Sequence, residues 1–331
     1  METKAMQQAK SGFRNFGWAR VVRFAAVAII LFGCTPARSI AQEKGQKTFA
    51  SAEDASQALI KALKSNDENA MLDVLGKDAK EIISSGDEVE DKQHRESFVK
   101  RYDEMHRLFK EPDGTTTLYI GTENWPAPIP LVMKGSMWYF DTDRAKMEIL
   151  YRRIGLNEVS SFHVCQRMVT AQNEYFDAHK EYAQKIFSDE GQKNGLYWKA
   201  ADGEPQSPIG PLVANAVAQG YAPNHSGPAT PYRGYFFHML TVQGKNAPGG
   251  EKNYLVDGKM TNGFAFIAYP AEYRSSGVMT FVVGPDGVVY EKDLGKKTEK
   301  DALTMKSYNP DSTWQKAQVE TDAIMTPPKQ K

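Results

Sequence analysis

Phe162, Cys165, Met168, Val169, Gln172, Tyr175, Phe176 and Ala183 recur at helical spacing and fall within one stripe roughly 120° wide at 100° per residue. A helix carrying such a stripe has to bury it, and the later segments supply the covering surface. YFFHMLTV (Tyr235 to Val242), GFAFIAY (Gly263 to Tyr269) and VMTFVV (Val278 to Val283) are rich in aromatic and β-branched residues, and Gly284-Pro285-Asp286-Gly287 turns the last of them into VVYEKD. The pattern predicts one long helix, entered at Gly155 with Asn157 as N-cap, followed by an antiparallel meander of about four strands. Cys165 lies near the middle of the stripe. His163 is two residues away and about 200° around the helix, so a local Cys-His dyad is geometrically excluded, and a thiol in apolar surroundings is inert.

Ahead of this helix the period changes in the opposite order. Ser51 is placed to cap a helix whose Ala55, Ala58, Leu59, Ala62 and Leu63 share a face. Asp67 opens a second, with Met71, Val74 and Leu75 apolar and Gly76 at its end, and a third is read through Phe98, Tyr102, Met105 and Phe109. Strands follow in TTTLYIG (Thr115 to Gly121) and in the hairpin PLVMK and SMWYFD around Lys134-Gly135. The chain is therefore read as α+β: a three-helix plus curved antiparallel sheet domain over 47–150, then a long helix plus meander over 151–295. Between the two, Tyr151 to Asn157 forms a short junction. Residues 191–231 are rich in Gly and Pro with one short helix at Leu212 to Gln219, and 296–331 form a charged tail whose last dozen residues are expected to be mobile.

Residues 1–41 read as a signal peptide. Basic Lys10, Arg14, Arg20 and Arg23 precede the apolar run from Phe24 to Gly33, which is only about half the roughly 20 residues a membrane span requires. Two processing sites compete. Ser39-Ile40-Ala41 suits ordinary cleavage, whereas Leu31-Phe32-Gly33-Cys34 resembles a lipobox that would leave a lipid anchor on Cys34; cleavage after Ala41 is preferred because Phe32 is bulkier than lipoboxes usually allow. The expected location is the periplasm or the medium, with an outer-membrane lipoprotein as the alternative. Either way Cys165 is left without a disulfide partner within the processed chain.

With 41 basic and 41 acidic residues there is no net field to gather nucleic acid. The six histidines show no HxxxH or HxH spacing, and GxSxG, P-loop and GxGxxG patterns are absent in usable form, so no metal, nucleotide or other cofactor is expected and no catalytic residue is assigned. Carboxylate pairs remain open, since folding can bring many of the 41 acidic residues together. Four residues stand as binding candidates. Trp125 sits in the proline-rich stretch ENWPAPIP, where packing of the ring onto the sheet is the favoured reading, and Trp138 in the hairpin; Asn157 and Glu158 sit at the boundary between the halves, where Asn157 as N-cap and Glu158 as a partner of the helix dipole are the favoured reading and need no ligand.

The stretches TFASAEDASQAL, GTENWPAPIPLV, WYFDTDRAKMEILYRRIGLNE, PYRGYFFHMLTVQG and FAFIAYPAEYRSSGVMTFVVGPDGVVYEKDLG together resemble a bacterial envelope family known as domain of unknown function 2950, over about Phe49 to Leu294. That resemblance implies a secreted or periplasmic location and no catalytic residue. The C-terminal half is similar to the globular part of type IV pilins and pseudopilins, although here a folded domain stands where pilins carry their apolar assembly segment. The N-terminal half is similar to the NTF2-like cone fold, a scaffold of both enzymes and binding modules. The expected function is non-catalytic binding of another envelope protein or of cell-wall or polysaccharide material. The alternatives are a periplasmic hydrolase of glycan or peptide using Asp/Glu carboxylates, and a pilin-like structural subunit.

Overall fold

Ser51 starts the first helix as its position requires, its hydroxyl accepting the Asp54 N–H at 3.0 Å. The structure is a computed structural model and describes residues 45–221 and 230–318. The expected signal peptide with its two candidate processing sites, Cys34 and Ala41, and the chain beyond residue 318 lie outside the described residues. Helix α1 (Ala52–Ser65) buries Ala55, Leu59 and Ala62, and α2 (Glu68–Leu75) is capped by Asp67 and buries Met71, Val74 and Leu75 before Gly76, at φ +92°, ends it. A one-turn α3 (Lys80–Ile83) precedes α4 (Glu88–Glu104).

The third helix ends earlier than the sequence suggests. Met105 is extended, and Phe109 lies in β1 (His106–Lys110) rather than on the helix. The apolar spacing from Phe98 to Phe109 imitates a helical period, but β1 gains an antiparallel partner in β2 (Thr116–Ile120), with His106 opposite Ile120. The sheet is completed by β3 (Trp125–Pro126), β4 (Leu131–Lys134) and β5 (Met137–Phe140), in the order β1-β2-β4-β5 with β3 against β2. The expected hairpin at Gly135 is the β4–β5 pair. Trp125 thus belongs to a short strand, where the sequence reads a loop.

Helix α5 (Thr142–His179) is 38 residues long and is capped by Asp141, not by Asn157. Gly155 and Asn157 lie inside it, and the expected boundary between residues 150 and 151 falls within this one element. An internal Gly costs a helix only about 1 kcal/mol, and side chains on either side of Gly155 bind neighbouring loops. After α6 (Gly210–Ala218), β6 (Tyr235–Leu240) leads through four two-residue strands: β7 (Val242–Gln243), β8 (Lys252–Asn253), β9 (Leu255–Val256) and β10 (Lys259–Met260). The meander continues with β11 (Ala265–Pro270), β12 (Met279–Val283) and β13 (Val289–Asp293), every pairing antiparallel. Phe264, Phe266, Ile267, Phe281 and Val283 pack into one core with Val164, Cys165, Met168 and Tyr175 of α5, so the stripe on α5 is covered by the chain's own sheet.

The segment after Lys296, which reads as a charged tail, is folded as far as residue 318. Helix α7 (Thr298–Thr304) buries Ala302, β14 (Ser307–Tyr308) pairs in parallel with β7, and β15 (Gln315–Lys316) extends the meander beside β13. Tyr308 is almost fully buried, and its ring lies where a Cβ on Gly284 would stand, 2.6 Å from Cε1. Gly284→Ala therefore forces this docked strand to move, and we expect it to lower stability by about 1–3 kcal/mol in urea unfolding; an unchanged midpoint would mean that the segment is not docked. The described residues all belong to one compact unit. No helix among them is long and apolar enough to cross a membrane.

Candidate functional site

Polar side chains that pack into an interior must find partners, and the middle of α5 meets this demand with loops from both ends of the sequence. The guanidinium of buried Arg153 donates to the carbonyls of Glu81, at 2.8 Å, and of Ile82, finishing α3. One turn on, buried Asn157 donates from Nδ2 to the Ser276 carbonyl at 3.0 Å. Glu158 accepts the N–H groups of Val278 and Met279, both at 3.0 Å, so it holds the start of β12. The β11–β12 loop reaches α3 directly through Ser275 Oγ and the Glu81 carbonyl, 3.2 Å apart. Asn157 and Glu158, the adjacent residues of α5 singled out in the sequence as binding candidates, are thus both engaged in holding the stretch from Ser276 to Met279.

The N-cap of α4 is the second fastening point. Asp87 is buried, and its Oδ1 accepts the Glu90 N–H at 3.0 Å. Its Oδ2 accepts both the Tyr221 hydroxyl and the Gly234 N–H, each at 2.9 Å, across 134 and 147 residues of sequence. Gly234 is required there: it sits at φ +72°, and a Cβ would lie 2.5 Å from Asn157 Nδ2. Beside this cap, Glu90 is buried with Oε2 lacking any hydrogen-bond partner. Burial, reinforced by the charge of Asp87, pushes its carboxyl up to about 7, and burial also raises Asp91.

Two further groups complete the interior chemistry. Glu291 on β13 is pushed up to about 7 by burial and by Glu158. The thiol of Cys165 is pushed up to about 12 by burial alone, which makes it a poor nucleophile, as its place in the apolar stripe predicts. No group of three or more His, Cys, Asp or Glu side chains among the described residues could hold a metal ion.

The two tryptophans divide between core and surface. Trp138 packs against the core of α1, α2 and β5, and Trp125 meets Phe98 edge to face at 6.3 Å with Arg101 stacked 5.9 Å from its ring. Both remain partly accessible. The more open aromatic surface is one that sequence reasoning misses. Strand β1 ends its sheet, paired with β2 on one side only, and four of its five residues are exposed. Phe109 is 48 % exposed and meets Tyr119 edge to face at 6.3 Å. Arg107 stacks over Tyr119 at 4.4 Å, and its Nε donates to the side-chain Oδ1 of Asn124 at 2.8 Å. The result is a cation–aromatic platform on an open strand edge. Its sequence signal is the alternation in HRLFK, concealed by the helical period that precedes it.

The model of the family described as "Protein of unknown function (DUF2950)" matches the chain over residues 46–317. No curated protein and no solved structure matches the chain.

Proposed function

The chain belongs to the DUF2950 family of proteins of unknown function, and since that description carries no activity, we propose from the geometry that it is a non-catalytic, exported envelope protein that acts by binding another envelope protein. The observation that carries this reading is the open edge of β1 with its exposed Phe109 beside the Arg107–Tyr119 stack. An open edge offers unpaired backbone donors and acceptors, the exposed ring offers apolar area, and the basic residues flanking it blunt indiscriminate strand pairing. Export is supported by the basic residues and short apolar run of residues 1–41. Cell-wall polysaccharide stacked on the same ring is the competing occupant. Affinity capture of the tagged protein after in-cell crosslinking tests the proposal. A protein recovered near stoichiometry, and at least tenfold depleted for Phe109→Ser, is the expected result; recovery of glycan fragments instead would transfer the platform to polysaccharide.

Glu90 favours a second reading, a periplasmic hydrolase of glycan or peptide working with carboxylates. A carboxyl near 7 lies in the range useful for general acid catalysis, and Asp87 and Asp91 are close by. Against it, the oxygens of Asp87 are engaged by three donors that hold the fold. Hydrolysis of a peptidoglycan or peptide library that is abolished by Glu90→Gln and untouched by Phe109→Ser would establish the hydrolase in place of the binding reading.

A further inference from the structure

A recess of about 350 Å³ opens between α5, α6 and Tyr232-Arg233, lined by Ser160, His163 and Arg167 on one face of α5, Asn215 on α6, and Tyr232 and Arg233. The apolar side chains of Val164 and Leu212 complete it, and no carboxylate is among the lining residues. In a chain with equal numbers of acidic and basic residues, a small concavity lined by two arginines, a histidine, a hydroxyl and an amide is a local concentration of donors.

Arg233 is the unusual member. It holds a left-handed backbone, φ +48°, which a residue with a Cβ adopts only when its surroundings enforce it. The enforcement is visible on both sides. Its N–H donates to the Tyr221 hydroxyl at 3.3 Å, and the next N–H, that of Gly234, is fixed to Asp87. The guanidinium is aimed by Gln219, whose Oε1 accepts from Nη2 at 2.9 Å, and by the Tyr232 ring, 5.9 Å from Cζ. Gln219 is held in turn by Gln93 on α4. Among the described residues Arg233 forms no ion pair, whereas Arg167 across the recess is paired with Glu174. A strained backbone and a positioned fork of donors, with Glu90 and Asp87 on its far side and no direct ion pair, therefore coincide at one wall of one cavity.

We propose that this recess binds a sugar-sized molecule bearing one oxyanion, a carboxylate or a phosphate, with Arg233 pairing to the anion and Ser160 and Asn215 bonding to its neutral hydroxyls. A guanidinium fork matches either anion in a two-bond geometry, and a recess of about 350 Å³ accommodates a sugar-sized molecule. The site is separate from the β1 edge and stands or falls without it.

The test is a titration of the exported chain at low ionic strength with glucuronate, glycerol 3-phosphate and neutral glucose, followed by calorimetry and ligand-observed NMR. Saturable binding of at least one anion and not of glucose is expected, weakened at least tenfold by Arg233→Gln and partly restored by Arg233→Lys. Whichever anion binds tells a uronate from a phosphate ester. Ser160→Leu fills the recess while leaving Arg233 and its backbone untouched; it should abolish binding as well, and it decides the matter if Arg233→Gln fails to fold. No saturable binding of either anion, equal binding of glucose, or binding indifferent to Ser160→Leu would overturn the proposal.

Discussion

Asp87→Ala is expected to destabilise the protein by about 3–7 kcal/mol, a large part of the total stability of a typical chain. The sum has three sources: loss of the α4 cap, about 1 kcal/mol, and the stranding of two buried donors, the Tyr221 hydroxyl and the Gly234 N–H, at about 1–3 kcal/mol each. Asp87→Asn keeps the cap acceptor but can offer only one oxygen to three donors, so it should recover only part of the loss. Urea unfolding with far-UV circular dichroism gives both values. If Asp87→Ala costs less than about 1 kcal/mol, the two halves of the chain are not fastened at this point.

The second large effect is on pH. Glu90 and Glu291 both have folded carboxyls near 7, above the ordinary glutamate value of 4.5. The folded state therefore binds their protons more tightly than the unfolded chain does. The stability they contribute is fully present below about pH 4.5 and is lost as pH rises through about 7. For Glu90, buried and with an oxygen that has no partner, the loss amounts to about 3 kcal/mol. Glu90→Gln cannot ionise, so it should match the parent near pH 4.5 and exceed it by up to about 3 kcal/mol at pH 8. Parallel pH profiles for the two proteins would show that Glu90 is not held neutral by the fold.

Much of the architecture can be read along the chain because its determinants are local. Ser51 and Asp67 cap the helices they precede, Gly76 ends α2, Gly135 turns the β4–β5 hairpin, and the aromatic and β-branched runs from Tyr235 to Val283 become the meander. Reading fails where distant contacts overrule a local signal. Gly155 and Asn157 look like a helix start, yet Arg153, Asn157 and Glu158 each bond to carbonyls or N–H groups about 70 to 120 residues away, which keeps α5 continuous through them. Phe109 extends a helical period by accident, and only pairing with Thr117 across the sheet places it in a strand. The same applies to chemistry. Nothing near Asp87 in sequence announces Tyr221 or Gly234, and nothing near Arg233 announces Ser160 or Asn215, because each grouping is assembled across the fold. Trp125 and Trp138 are conspicuous as residue types, whereas their packing depends on neighbours in α1 and α4.

The β1 edge is tested most directly by placing a photo-crosslinking amino acid at position 109 in the full-length protein, with position 303 as a control. Leu303 is 60 % exposed on α7, which packs on β11 and not on the sheet that holds β1. Irradiation in living cells should give one discrete protein adduct from position 109 and none from position 303. Absence of an adduct at 109, or the same adducts from both positions, would contradict the account.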